Sequence, residues 1–317
     1  MMTEDLDQFK GVLLGCAVGD ALGAPVEGWS AIEISMVHGR PFRNFLPGRY
    51  GRGAFTDDTQ LTVALAESLV GRGYFDVDEV AQAFGRWIRL RDEGVRDVRG
   101  YDQDSVTACR RLYHGVPRRL SAVDSAGSGA ASRAAPVGLF LRETGPVVDA
   151  AVLQAMLTHA DPRALAGAAA VAVAVSHALT AIPFDARDFL RSVALATEDI
   201  EPGLAAKVSS LEAYLDETLE TGLLYTGTGA HSTEAVPAAL LIFAKIPHHT
   251  EEAIVTAANA GGDTTGIGAI VGALAGALNG SGSLPGRWLA RLEQRKRIER
   301  LAEALYWMVW GIEGKSP

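Results

Sequence analysis

The sequence predicts an all-α protein folded as a compact single domain. Apolar residues recur at three- and four-residue spacing along most of the 317 residues, the signature of amphipathic helices. No stretch alternates strictly between apolar and polar residues between hairpin turns, so few strands are expected. No fixed-period repeat and no long Pro/Ser/Gly linker divides the chain, which favours one domain over the two its length would admit.

The elements follow in order. Residues 9–22 carry apolar side chains at helical spacing, and Pro25 ends that helix because it lacks an N–H and restrains its predecessor. Glu27 then falls on a loop. Residues 37–54 have little periodicity and read as a long loop, a candidate lid over a site. Residues 60–69 follow a Thr-Asp-Asp-Thr start and align Leu61, Leu65 and Leu69. Residues 77–90 repeat the pattern with Val80, Phe84, Trp87 and Ile88. The Ala/Val-rich run 163–180 has the composition of a strand in isolation, but its length and alanine content make it a buried helix. Further helices are expected over 205–221, 236–245, 251–258 and 287–310. Residues 266–278 are apolar and uncharged but too short to span a bilayer. Gly268, Gly272 and Gly276 share one helical face there, where a neighbouring backbone can approach closely, so a buried core helix is expected rather than a membrane segment.

Composition narrows the function. Hydrophobic residues are 48% and charged residues 21%, an ordinary globular balance that excludes disorder. The 29 Lys and Arg against 38 Asp and Glu leave a net charge of −9, without the basic field that phosphate neutralisation requires. The start, MMTEDLDQFKG, is acidic and has no apolar signal core. Cys16 and Cys109 form neither a metal-ligand spacing nor a disulfide framework, so a reducing, cytoplasmic setting is the simplest reading.

Five segments carry candidate chemistry. In Thr56-Asp57-Asp58-Thr59-Gln60, adjacent carboxylates and flanking hydroxyls offer hard oxygen donors suited to Mg²⁺, Mn²⁺ or Ca²⁺ rather than zinc. The same residues fit a helix N-terminus, with Asp57 and Gln60 at capping-box spacing. The segment Asn259 to Gly266 has two glycines for a tight turn and an Asp-Thr-Thr before a helix, again either a cap or a ligand set. The segment Gly19 to Glu27 ends in an acidic loop residue that is either solvated or functional. Ser125-Ala126-Gly127-Ser128-Gly129 is either a flexible connection or a phosphate-binding nest of backbone N–H groups. In Thr158-His159-Ala160-Asp161-Pro162, His159 either contacts a ligand or is an interior histidine satisfied by its neighbours.

Taken together and in this order, these segments resemble the ADP-ribosylglycohydrolase superfamily, the group that includes the dinitrogenase-reductase-activating glycohydrolase. The matching stretches are FKGVLLGCAVGDALGAPVEG, FTDDTQLTVALAESL, GSGAASRAAPVGL, LTHADPRAL and ANAGGDTTGIGAIVGALAGAL, with a weaker one over residues 234–239; the likeness runs from about residue 9 to 310. The resemblance implies a compact orthogonal helical bundle with Mg²⁺ or Mn²⁺ at the bottom of a cleft, where the glycosidic bond of ADP-ribose is hydrolysed. It puts Thr56, Asp57, Asp58, Asp263 and Thr265 on metal-ligand positions. Glu27 and Asp58 take catalytic roles, Ser125, Gly127, Ser128 and Gly129 form the phosphate loop, and His159 contacts the ligand. The implied partner is ADP-ribose or an ADP-ribosylated protein, arginine-linked by analogy with the bacterial relatives. No membrane is implied, and nucleic acid enters only as a modified substrate.

One departure bears on the metals. The superfamily reads Gly-Gly-Asp-Thr-Asp-Thr where this chain reads Gly-Gly-Asp-Thr-Thr-Gly, so Thr265 replaces a carboxylate and Gly266 a hydroxyl. One tight ion and at most one weaker one are expected. The alternatives to a hydrolase are an ADP-ribose-binding protein with weakened or lost catalysis, and a structural protein that merely keeps the fold.

Overall fold

The computed structural model describes residues 2–39, 41–94, 99, 101–180 and 182–313. In chain order the helices are α1 (Met2–Gly23), α2 (Ala31–His38), α3 (Asp57–Arg72), α4 (Val77–Asp92), α5 (Gln103–Tyr113), α6 (Gly129–Ser132), α7 (Ala135–Leu141), α8 (Thr144–Ala155), α9 (Pro162–Thr180), α10 (Ala186–Thr197), α11 (Pro202–Ser210), α12 (Leu219–Thr226), α13 (Ser232–Lys245), α14 (Thr250–Asn259), α15 (Thr264–Asn279), α16 (Gly286–Leu289) and α17 (Arg295–Glu313). No strand occurs among the described residues. Isolated bridges tie loop to loop, Ser30 to Gly261, Val123 to His159 and Gly127 to His231. The all-α architecture is as the periodicity predicts.

The spine of the fold is the pair α1 and α15. The glycines at 268, 272 and 276 meet glycines at the same spacing on α1. A Cβ on Gly15 would collide with the Gly272 carbonyl, one on Gly19 with that of Gly268, and one on Gly11 with that of Gly276. The backbones therefore touch directly, as small-residue faces allow. The pairing is antiparallel. It brings the C-terminus of α1, and Glu27 just past it, to the N-terminus of α15. Thr264 Oγ1 lies 3.0 Å from the Gly23 carbonyl at that junction. The run α9 is buried helix over most of its length, as its alanine content predicts. Among the described residues, two segments are long and apolar enough to cross a membrane, Asp5–Val26 and Pro162–Thr180, but 83% and 78% of their apolar windows are buried inside the fold.

Two predicted helices are each broken. Over 205–221, α11 stops at Ser210, a 3₁₀ turn covers Leu211–Tyr214, and α12 begins after Thr218, whose side chain accepts from the Thr221 N–H. The carbonyls freed at Tyr214, Leu215 and Glu217 are taken by Lys245 Nζ at 3.1, 2.6 and 2.7 Å, which makes the break tolerable. Over 287–310, α16 ends at Leu289 and α17 starts at Arg295, with Gln294 between them at a positive φ of 52°. The break lets the Glu293 N–H reach the Gly53 carbonyl and its carboxylate pair with the buried Arg99. Helices α2, α5, α6, α7, α8 and α10 were not anticipated. Of the loop expected over 37–54, Val37 and His38 instead end α2, and residues 41–54 carry no helix or strand. The loop is pinned rather than free: Phe42 and Phe45 are buried, and the Asn259 side chain bonds both the N–H and the carbonyl of Phe42.

Candidate active site

The site is built from helix starts, held by one buried carboxylate on α1. Asp20 is fully buried. Its oxygens accept from the Thr56 N–H at 3.0 Å, the Thr59 N–H at 3.0 Å and Thr59 Oγ1 at 2.6 Å, which fixes the first turn of α3. Burial pushes its pKa up to about 7 in spite of these donors. Thr56 caps α3 by accepting from the Asp58 N–H at 3.3 Å. The two adjacent acids then diverge. Asp57 accepts from the Tyr101 and Asp102 N–H groups at 2.8 and 3.0 Å and so positions the start of α5. Asp58 turns the other way and accepts from Ser132 Oγ at 2.5 Å.

Across the cleft, Gly261 and Gly262 have φ of 77° and 70°, a left-handed turn that favours glycine. The turn is clamped by Gly28 N–H to the Gly262 carbonyl at 2.9 Å and Gly262 N–H to the Trp29 carbonyl at 2.8 Å. This places Asp263 as the cap of α15, accepting from the Gly266 N–H at 2.9 Å and from Ser128 Oγ at 2.6 Å. A Cβ at residue 266 would stand 2.6 Å from Asp263 Oδ2, so the bare Cα allows this fold-back. Glu27 Oε2 accepts from the Thr265 N–H at 2.8 Å and lies 3.0 Å from Thr264 Oγ1.

Glu27, Asp57, Asp58, Asp102, Asp104 and Asp263 line a cleft of about 300 Å³ with Tyr101, Gln103, Gly127, Ser128, Gly129, Ala230 and Thr265. Among the described lining residues there is no lysine, arginine or histidine. Burial pushes Asp57, Asp263 and, well above the usual range, Asp58 toward the neutral form; Asp20, Asp57 and Asp263 push Asp58 further. Glu27 rises to about 8, through burial first and Asp263 second. Converging carboxylates with no basic side chain on the described wall form an all-oxygen set, which a hard divalent cation fits and which such a cation would hold ionised.

The sequence-predicted residues are therefore largely assembled. Glu27, Asp57, Asp58, Asp263, Thr265, Gly127, Ser128 and Gly129 share the cleft wall, whereas Thr56 lies behind it as a cap. Of the expected phosphate loop, Gly127, Ser128 and Gly129 line the cleft. Ser125 is not on the wall: its Oγ accepts from the Gly127 N–H at 3.1 Å, and the Ser128 N–H goes to the Ala230 carbonyl at 3.0 Å. Those two amides are engaged within the protein and do not form an open nest. His159 is fully buried behind the wall. Among the described residues of 37–54, none lines the cleft. Asp20, Asp102, Asp104 and Ser132 went unpredicted. Asp102-Gln103-Asp104 looks like an ordinary helix cap in sequence, and only the bond from its backbone to Asp57 reveals where it sits.

Comparison with known proteins agrees with this geometry. A sequence model described as ADP-ribosylglycohydrolase matches residues 1–312. An uncharacterised protein of Archaeoglobus fulgidus is 36% identical over 304 residues, covering 95% of this chain and 96% of that protein. The ADP-ribosylarginine hydrolase Tri1 of Serratia proteamaculans is 29% identical, covering 96% of this chain and 81% of its own. A solved structure, an ADP-ribosylglycohydrolase-related protein complex, superposes with a TM-score of 0.80 at 32% identity, over 97% of this chain and 99% of the other. With two remote acidic turns at one cleft and the whole chain matched, the protein belongs to the ADP-ribosylglycohydrolase family.

Proposed function

We propose that the chain is a metal-dependent hydrolase that cleaves the glycosidic bond between ADP-ribose and a modified acceptor, with protein arginine favoured. The observation that carries this reading is the convergence of Asp57-Asp58 with Asp263 and Glu27 around a cleft of about 300 Å³, at the lower end of small-ligand sites. Asp58, Asp263, Asp57 and the Thr265 hydroxyl would hold Mg²⁺ or Mn²⁺. When bound, the ion supplies charge compensation and a fixed point for the ribose diol. The protein's own groups do the rest. Glu27, held by the Thr265 N–H, takes a proton from the attacking water and returns it to the departing nitrogen. The Asp58 carboxylate faces the oxocarbenium-like charge that develops on the sugar. The preference for arginine rests on the resemblance to the Serratia enzyme. Free, buried Cys16 and Cys109 agree with a cytoplasmic setting.

The direct test is release of ADP-ribose from ADP-ribosylarginine peptide by purified protein with Mn²⁺ or Mg²⁺. Turnover is expected, and Glu27→Gln should lower kcat by about 10²- to 10⁴-fold. No release from arginine-, serine- or nucleic-acid-linked substrates would overturn the reading. A second reading, an ADP-ribose-binding protein with weakened catalysis, is favoured by Thr265, which lines the cleft where the superfamily carries a carboxylate. Calorimetric ADP-ribose binding without turnover would select it.

A further inference from the structure

At the cleft wall, with His159 buried behind it, lies a group of side chains that the hydrolase reading does not use. One ligand atom each from Asp102, Asp104 and His159 lies within 4.8 Å of the others. His159 is fully buried, and its Nε2 has no hydrogen-bond partner. It faces Asp102 Oδ2 at 3.8 Å, which is also buried and unpartnered. The other Asp102 oxygen is committed, accepting from the Asp104 N–H at 2.9 Å.

Neither imidazole tautomer resolves this gap. Thr158 Oγ1 accepts from Arg133 Nη2 at 2.6 Å and lies 2.8 Å from His159 Nδ1. If Nδ1–H donates to Thr158, the Nε2 lone pair confronts a carboxylate oxygen. If Nε2 carries the hydrogen, 3.8 Å is too long for a hydrogen bond. Two buried acceptors face to face, or an unmade bond, is the pattern a cation resolves. The space is kept open by glycines. A Cβ on Gly129 would collide with Asp102 Oδ2, and one on Gly127 would stand 3.3 Å from His159 Nε2.

We infer that Asp102, Asp104 and His159 form a binding site for a divalent transition-metal ion, separate from the all-oxygen set of Asp58 and Asp263. One imidazole and two carboxylates suit Zn²⁺, Co²⁺ or Fe²⁺ better than Mg²⁺. An ion with arms of about 2.1 Å holds tetrahedral donors roughly 3.4 Å apart, so small side-chain rotations of Asp102 and the part-exposed Asp104 would complete the site.

The test is titration of metal-free full-length protein with Co²⁺ under excess Mg²⁺, read by visible d–d absorption and by equilibrium dialysis. The wild type should take up one Co²⁺ that Mg²⁺ does not displace. Asp104→Asn, on a part-exposed first helical turn, and His159→Gln should each weaken that uptake at least tenfold. Asp263→Asn should leave it in place. No Mg²⁺-resistant Co²⁺, or uptake that survives Asp104→Asn, would overturn the site, and a water would then be the bridge between Asp102 and His159. Uptake lost in Asp263→Asn would place the ion in the other cradle and also overturn it. ADP-ribose release in Mg²⁺ alone is independent of every one of these outcomes.

Discussion

Asp263 is buried and Asp58 half-buried, and their like charges face one another across a cleft without a basic residue on its described wall. Asparagine has the same shape and no charge. Asp58→Asn and Asp263→Asn should therefore each weaken Mn²⁺ binding at least tenfold in calorimetry, while the metal-free variants melt at or above the wild-type temperature, since desolvation and repulsion are relieved. A melt several degrees lower would mean that these carboxylates serve the fold rather than a ligand. Thr265→Asp restores the missing carboxylate and should tighten a second Mn²⁺ without altering the first. At this scale the sequence was legible where oxygen donors cluster: Glu27, Asp57, Asp58 and Asp263 could be named from their turns. It was opaque where a residue acts across space. Asp20, whose only signal is its place in a Gly-Asp-Ala-Leu-Gly segment, organises α3 from 36 residues away. His159 reads alike as ligand or core, and the phosphate-loop amides could not be known to be engaged at Ser125 and Ala230.

Among the elements, the register of α1 on α15 decides whether Glu27 meets Thr265. Gly15→Ala or Gly272→Ala would drive a methyl into the facing carbonyl and should destabilise the protein by about 3 kcal/mol in urea denaturation, the upper part of the usual overpacking range. Gly71→Ala on α3 is the control. Nothing lies within 4 Å of a Cβ there, so the change should stabilise by about 0.5–1 kcal/mol. Equal effects at both sites would remove the case for backbone contact as the device that sets the register. The glycine face of α15 was readable as a packing surface, but its partner was not, because spacing names a face and not what covers it. The breaks near 211–218 and 290–294 were hidden for a similar reason. Lys245 and the Arg99–Glu293 pair stabilise them from distant parts of the chain.

For the whole molecule, the account makes stability and ligation one equilibrium. A cation that binds the folded cradle and not the unfolded chain should add about 2.7 kcal/mol at a hundredfold excess over Kd, a rise of several degrees in Tm that EDTA reverses. The fold class was legible throughout from periodicity and the absence of alternation, while helix boundaries and the unanticipated short helices depended on packing. Anomalous scattering from a crystal grown with Mn²⁺ and ADP-ribose tests the central claim most directly. The account predicts a manganese peak between the Asp58 and Asp263 carboxylates, with the ribose diol on it and the anomeric carbon toward Glu27. A cleft without that peak, or a ribose bound away from Glu27, would contradict it.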